Sequence, residues 1–126
     1  MPSELKERTF QFSLRILRLV ENLPSTFIGS TFGHQILRCS TSVGANYRAA
    51  CRAKSDRDFL NKMKICEEEI DETLYWLDLI KHANLFPDGK LDAVISEANE
   101  LCAIITAICK TTASKIQDKK FVNRNS

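Results

Sequence analysis

Residues 55–80 read SDRDFLNKMKICEEEIDETLYWLDLI. Within them Phe59, Met63, Cys66, Ile70, Thr73, Leu77 and Ile80 recur in steps of four and three. That is the spacing of one helix face and not the alternation of a strand. Ser55 offers a hydroxyl to the free amides of a first turn, and Asp56 and Asp58 suit the positive end of the helix. A helix over about 56–84 is predicted, long enough at 1.5 Å per residue to span a small domain.

The same rhythm continues on both sides. Leu5, Thr9, Phe12, Ile16, Leu19 and Leu23 mark a helix over about 3–23, with Ser3 as its cap and Pro24 as its stop. Phe27 and Phe32 are expected to anchor the following loop in the core. Phe32, Ile36, Cys39, Val43, Tyr47 and Ala50 form the stripe of a second helix, about 31–54, opening at Ser30 or Thr31. Its middle, Ser40 to Gly44, is poor in helix formers, which predicts a close approach to another helix or a bend. The alternative for Gly44 is a phosphate-binding turn. Pro87, Asp88 and Gly89 make a turn. Beyond it Leu91, Val94, Ala98, Leu101, Ile105, Ile108, Thr112 and Ile116 mark a fourth helix, about 90–117, and the polar residues 118–126 are expected to fray. Long helices with short connections predict a single all-α domain over 1–126, an antiparallel up-down-up-down four-helix bundle.

Composition agrees. Four glycines and three prolines in 126 residues leave too few turns for a β-sandwich or barrel. With 44% hydrophobic and 27% charged residues the chain is neither disordered nor fibrous. Five cysteines, an odd number with no C-x-x-C pair, argue against a disulfide framework or a zinc site. The stretch Leu101 to Cys109 falls far short of the ~20 residues that cross a bilayer. Charges at Glu4, Lys6, Glu7 and Arg8 occupy the place of a signal peptide's apolar core. These features predict a soluble cytoplasmic protein with no membrane partner. The net charge of +2 hides a bipolar chain: five basic against two acidic residues in 24–58, four against ten in 59–100, and five against one in 101–126.

Two helices carry more apolar surface than one bundle uses. On a helical wheel Phe10, Leu14 and Leu17 fall well round from the first core stripe, and Ile65, Tyr75, Trp76 and Leu79 fall away from the third. Such patches mark self-association, with Trp76 a natural anchor; the alternative is simple exposure.

Chemistry is sparse. His34 reads as a solvated or capping residue in the first turn of the second helix. His82 closes the third, where a cation suits the helix dipole. Neither has the Glu three residues ahead that a carboxylate-bridged metal bundle uses. The cysteines read as small buried hydrophobes. Glu69, Glu72, Glu97 and Glu100 are similar in spacing to the paired acidic motifs of all-α nucleoside triphosphate pyrophosphohydrolases and would hold Mg²⁺ if they converged; Glu100 stands where that family has aspartate. Arg38, Arg48 and Arg52 share an 80° arc by about 100° per residue, and Lys54 and Arg57 extend it. This stripe reads either as a nucleic-acid contact or as the counter-charge of the acidic third helix.

The run SVGANYRAACRAKSDRDF from Ser42 to Phe59, followed by EEIDETLYWL from Glu68 to Leu77, resembles the bacterial four-helix-bundle proteins first noticed as products of intervening sequences in large-subunit ribosomal RNA genes. The resemblance spans residues 5 to about 116 and rests on Ser42, Asn46, Tyr47, Arg48, Glu68, Asp71, Glu72, Tyr75 and Trp76. It implies a left-handed antiparallel bundle and a homo-oligomeric ring, a pentamer. It also implies kinship with the accessory variability protein of diversity-generating retroelements, a basic pentamer that binds nucleic acid and a reverse transcriptase. It implies no catalytic residues and no cofactor. At the family-like positions a polar network of Asn46, Arg48, Glu68 and Glu72 is expected across the bundle. The function expected is therefore a non-enzymatic oligomer that binds RNA, another nucleic acid or a protein. The alternatives are a scaffold with no nucleic-acid role and the Mg²⁺-dependent pyrophosphohydrolase.

Overall fold

The computed structural model describes residues 2–87 and 89–125, with residues 2 and 3 described by backbone alone. Ser3 lies inside the first helix, which begins at Pro2, and so is not its cap; Met1, Asp88 in the turn and Ser126 lie outside what is described. Four helices follow in order: α1 Pro2–Glu21, α2 Phe27–Ala50, α3 Asp56–His82 and α4 Asp92–Asn125. No strand occurs among the described residues.

Contacts define the packing. α1 touches α2 and α4, α3 touches α2 and α4, and the diagonal pairs share no contact among the described residues. Neighbours run antiparallel, as the cross-links show. Gly33 of α2 lies against Val20, and Gly44 against Thr9. The Thr73 hydroxyl oxygen lies 3.2 Å from the Cys39 sulfur, and the Cys66 thiol reaches the Val43 carbonyl at 3.5 Å. Lys81 pairs with Asp92 at 3.3 Å at one end of α3 and α4, and Asp56 with Lys119 at the other. The result is an antiparallel four-helix bundle with its core on the central axis.

The core stripes are those the periodicity marks. Phe12, Ile16, Ile36, Val43, Met63, Ile70, Leu77, Ile80, Leu101 and Ile105 are fully or almost fully buried, each worth about 1.5–3 kcal/mol in apolar burial. Thr9, Ser40, Thr73 and Thr112 are buried with them and turn their hydroxyls onto carbonyls of their own helix. No described side-chain polar atom in the interior lacks a partner.

Helix ends differ from expectation most at both ends of α2 and at the end of α4, and by one or two residues at both ends of α1, the end of α3 and the start of α4. α2 starts at Phe27, not 31: Thr26 is its cap, accepting from the Gly29 amide at 3.0 Å. Phe27 consequently stands 85% exposed and does not anchor the core, and His34 lies beyond the first turn and is exposed. α2 closes at Ala50, not 54, because Cys51, Arg52 and Ala53 fold back in a turn with 3.0 Å amide bonds to carbonyls three and four residues behind. α4 is helical to Asn125, beyond the expected end at 117, and Lys115 and Lys119 pair with Asp56. The end of α3 is a Schellman motif: Asn84 takes a left-handed φ of 55°, its amide reaches the Lys81 carbonyl, and the Leu85 amide reaches the Ile80 carbonyl.

Candidate interaction surfaces

The arginine stripe of α2 divides in two. Arg38 faces α3, bonding Glu72, Glu69 at 3.4 Å and Gln35 of its own helix, so it serves as counter-charge to the acidic helix and not as a free cation. Glu72 in turn accepts from the Trp76 indole at 3.0 Å. Arg48, Arg52, Lys54 and Arg57 are exposed, and no described carboxylate pairs with them. They surround the α2–α3 turn, where Ser55 caps α3 by accepting from the Asp58 amide at 3.0 Å.

The expected network across the bundle does not form. The Asn46 amide donates to the Ser42 carbonyl and hydroxyl, both at 2.9 Å on its own helix, while Arg48 and Glu68 point to solvent. A mid-helix asparagine finds its partner one turn back, which removes the need for a partner on α3. The network that does form is Arg38, Glu69, Glu72 and Trp76.

The two apolar faces lie on diagonally opposed helices. On α1, Phe10 is 58% exposed, Leu17 is exposed and Leu14 is half-buried; on α3, Tyr75 is 58% exposed, Ile65 is exposed and Leu79 half-buried. Trp76 departs from this outward set. Its ring lies half-buried on the core, 5.4 Å from Phe32 and from Tyr75, edge-on to the latter. The outward aromatic of α3 is therefore Tyr75.

The four carboxylates of the pyrophosphohydrolase reading do not converge. Glu69 and Glu72 turn toward Arg38 of α2, while Glu97 and Glu100 turn toward Arg8 of α1. Arg8 grips Glu97 in a two-pronged bond of 2.6 and 3.1 Å, which raises the guanidinium pKa further. Among the described residues no cluster of His, Cys, Asp or Glu is placed to hold a metal. The His82 Nδ1–H donates to the Asp78 carbonyl at 2.9 Å in the last turn of α3. All five cysteines are free; Cys39, Cys66 and Cys109 are buried and Cys51 is exposed.

Sequence reasoning missed two features at the end of the bundle where α1 begins. One is a cavity of about 710 Å³ lined by Leu5, Arg8, Tyr47, Cys51, Phe59 and Ile108. The other is the last part of α4, whose lysines lie beside the α2–α3 turn. Lys119 and Lys115 stand 2.5 and 3.7 Å from Asp56 and hold its carboxyl below the usual carboxylate range. The excess of base over acid after residue 100 was the available signal.

Fold and surface together define an all-α four-helix-bundle protein; no described helix is long and apolar enough to cross a bilayer. The chain belongs to the family of 23S rRNA-intervening sequence proteins, whose pattern it matches over residues 3–107. A solved structure with the same fold is a protein of unknown function from the S23 ribosomal protein family of Bacteroides thetaiotaomicron VPI-5482. It is 32% identical, with a TM-score of 0.78 over 84% of this chain and 98% of that one. No match is found among curated proteins.

Proposed function

We propose that this protein is a non-enzymatic cytoplasmic accessory factor that assembles as a ring of identical subunits, five in number, and that the ring binds RNA or another nucleic acid. The observation that carries the reading is the placement of two different apolar faces, Phe10 with Leu17 and Ile65 with Tyr75, on helices that do not touch. A monomeric bundle has no use for either. Two unlike faces on opposite corners of a subunit fit each other head to tail, and a head-to-tail contact closes into a ring of five when each subunit is turned by a fifth of a circle from the last. The unpaired cations around the α2–α3 turn would then repeat around that ring as a field attractive to phosphate.

The test is solution mass by light scattering at low and high salt, with and without a structured RNA. A discrete species near five times 14.3 kDa that takes up RNA only at low salt is expected. A monomer removes the assembly reading. An oligomer indifferent to RNA makes the protein a scaffold and directs the search to protein partners.

A further inference from the structure

The antiparallel register of α3 and α4 brings together basic residues that are far apart in the chain. Lys115 and Lys119 reach Asp56, so the last turns of α4 lie beside the α2–α3 turn, with Lys110 further up the same helix. Arg48, Arg52, Lys54 and Arg57 from the turn region and Lys110, Lys120 and Arg124 from α4 are all exposed. None has an ion-pair partner among the described residues.

Helix dipoles account for only part of this. Arg48 and Arg124 sit in the last turns of α2 and α4, where a cation is favoured. Arg52 and Lys54 lie past the helix end. Arg57 sits in the first turn of α3, the wrong end for a cation. Neither a helix dipole nor an ion pair accounts for these three.

We propose that segment 110–125 of α4 and the α2–α3 turn form one basic end face that binds the phosphate backbone of a nucleic acid, with the exposed Phe121 beside it as a stacking platform for an unpaired base. This rests on the nucleic-acid reading above and assigns it a place. The apolar content of the face decides against a lipid surface. Phe121 and Val122 are exposed but adjacent in sequence, about 100° apart on the helix, and form no continuous stripe. An interfacial helix needs such a stripe, whereas a polyanion needs spaced cations and gains from one aromatic. The α4 segment lies beyond residue 107, where the family match ends, whereas the turn cations lie within it.

The experiment compares RNA affinity of the full-length wild type, Arg52→Glu with Arg57→Glu, Lys120→Glu with Arg124→Glu, and a distant control, Arg15→Glu, by fluorescence anisotropy of a labelled hairpin with a single-stranded loop across a salt series. Each double variant is expected to bind about tenfold or more weakly and to lower the salt slope by about one to two, near one per lost phosphate contact. Phe121→Ala is expected to weaken the hairpin more than a fully paired duplex. Circular dichroism checks that these exposed changes leave the fold intact. If the α4 variant binds as wild type while the turn variant fails, the end face is overturned and the nucleic-acid reading stands. If wild type binds no RNA, or binds anionic vesicles instead, both fall.

Discussion

Lys119 Nζ and Asp56 Oδ2 lie 2.5 Å apart, joining the last turns of α4 to the first turn of α3. The carboxyl has two lysine neighbours, the Lys119 bond being the larger influence, and its pKa is lowered. A folded-state pKa below the unfolded one, about 3.9 for aspartate, gives a contribution that is present above that value and lost as pH falls through the depressed one. Helicity of 115–125 should hold at neutral pH and loosen below about pH 4. Asp56→Asn should have the same effect at pH 7: faster amide exchange over 115–125 with the amides of Ile70 and Ile105 unchanged. Unaltered exchange in that segment would show that the tie is ornamental.

The assembly reading makes a prediction that separates unlike faces from like ones. Phe10→Glu and Tyr75→Glu should each reduce the oligomer to monomer without altering the circular dichroism spectrum. Mixed together they should form a dimer, because the intact α3 face of the first still meets the intact α1 face of the second. A mixture that stays monomeric by light scattering would rule out head-to-tail pairing. Trp76→Ala should behave differently: because the ring packs on Phe32 and donates to Glu72, it should cost the subunit itself about 2 kcal/mol, less than the roughly 3–5 kcal/mol of a fully buried aromatic. Thermal melts of the monomeric variants check this.

What was legible in the sequence follows from what periodicity encodes. The core stripe of α3 from Met63 to Ile80 is buried throughout, because a four-three repeat fixes which face is inward whatever the neighbours are. Periodicity does not say which neighbour a polar residue meets. Arg38 and Arg48 share one arc of α2, yet only Arg38 stands level with Glu69 and Glu72; the register of α2 on α3 decides that. Trp76 was read as outward for the same reason: the wheel does not show that Phe32 comes alongside. The run-on of α4 was hidden because residues 117–125 lack apolar spacing and are held by an ion pair to a residue 63 positions earlier.

Thiol chemistry should sort the cysteines by burial. Desolvation pushes the Cys66 thiol up to about 12 and raises Cys39 and Cys109 as well. Thiolate is the reactive form, so these three should resist a thiol reagent at pH 8. Cys51, exposed at the end of α2, should react within seconds and Cys102 more slowly. All five should react in denaturant. Rapid modification of Cys66 in the native protein would mean that the core opens near Val43.

Two glycines of α2 should respond to alanine with opposite signs. A Cβ on Gly44 would meet the Thr9 carbonyl oxygen at 3.5 Å and the Ser13 hydroxyl at 3.6 Å, ordinary contact distances. The approach of α1 is thus close but leaves room for a methyl group. Gly44→Ala should stabilise by about 0.5–1 kcal/mol through backbone entropy alone. A Cβ on Gly29 would lie 2.1 Å from the Pro24 carbonyl oxygen, which no side-chain adjustment relieves. Gly29→Ala must therefore move the Pro24–Thr26 turn, weakening the Thr26 cap, and should destabilise by about 1–3 kcal/mol. Urea titration of the two variants gives the signs directly. A destabilised Gly44→Ala would mean that the helices pack more closely at Thr9 than the 3.5 Å contact allows.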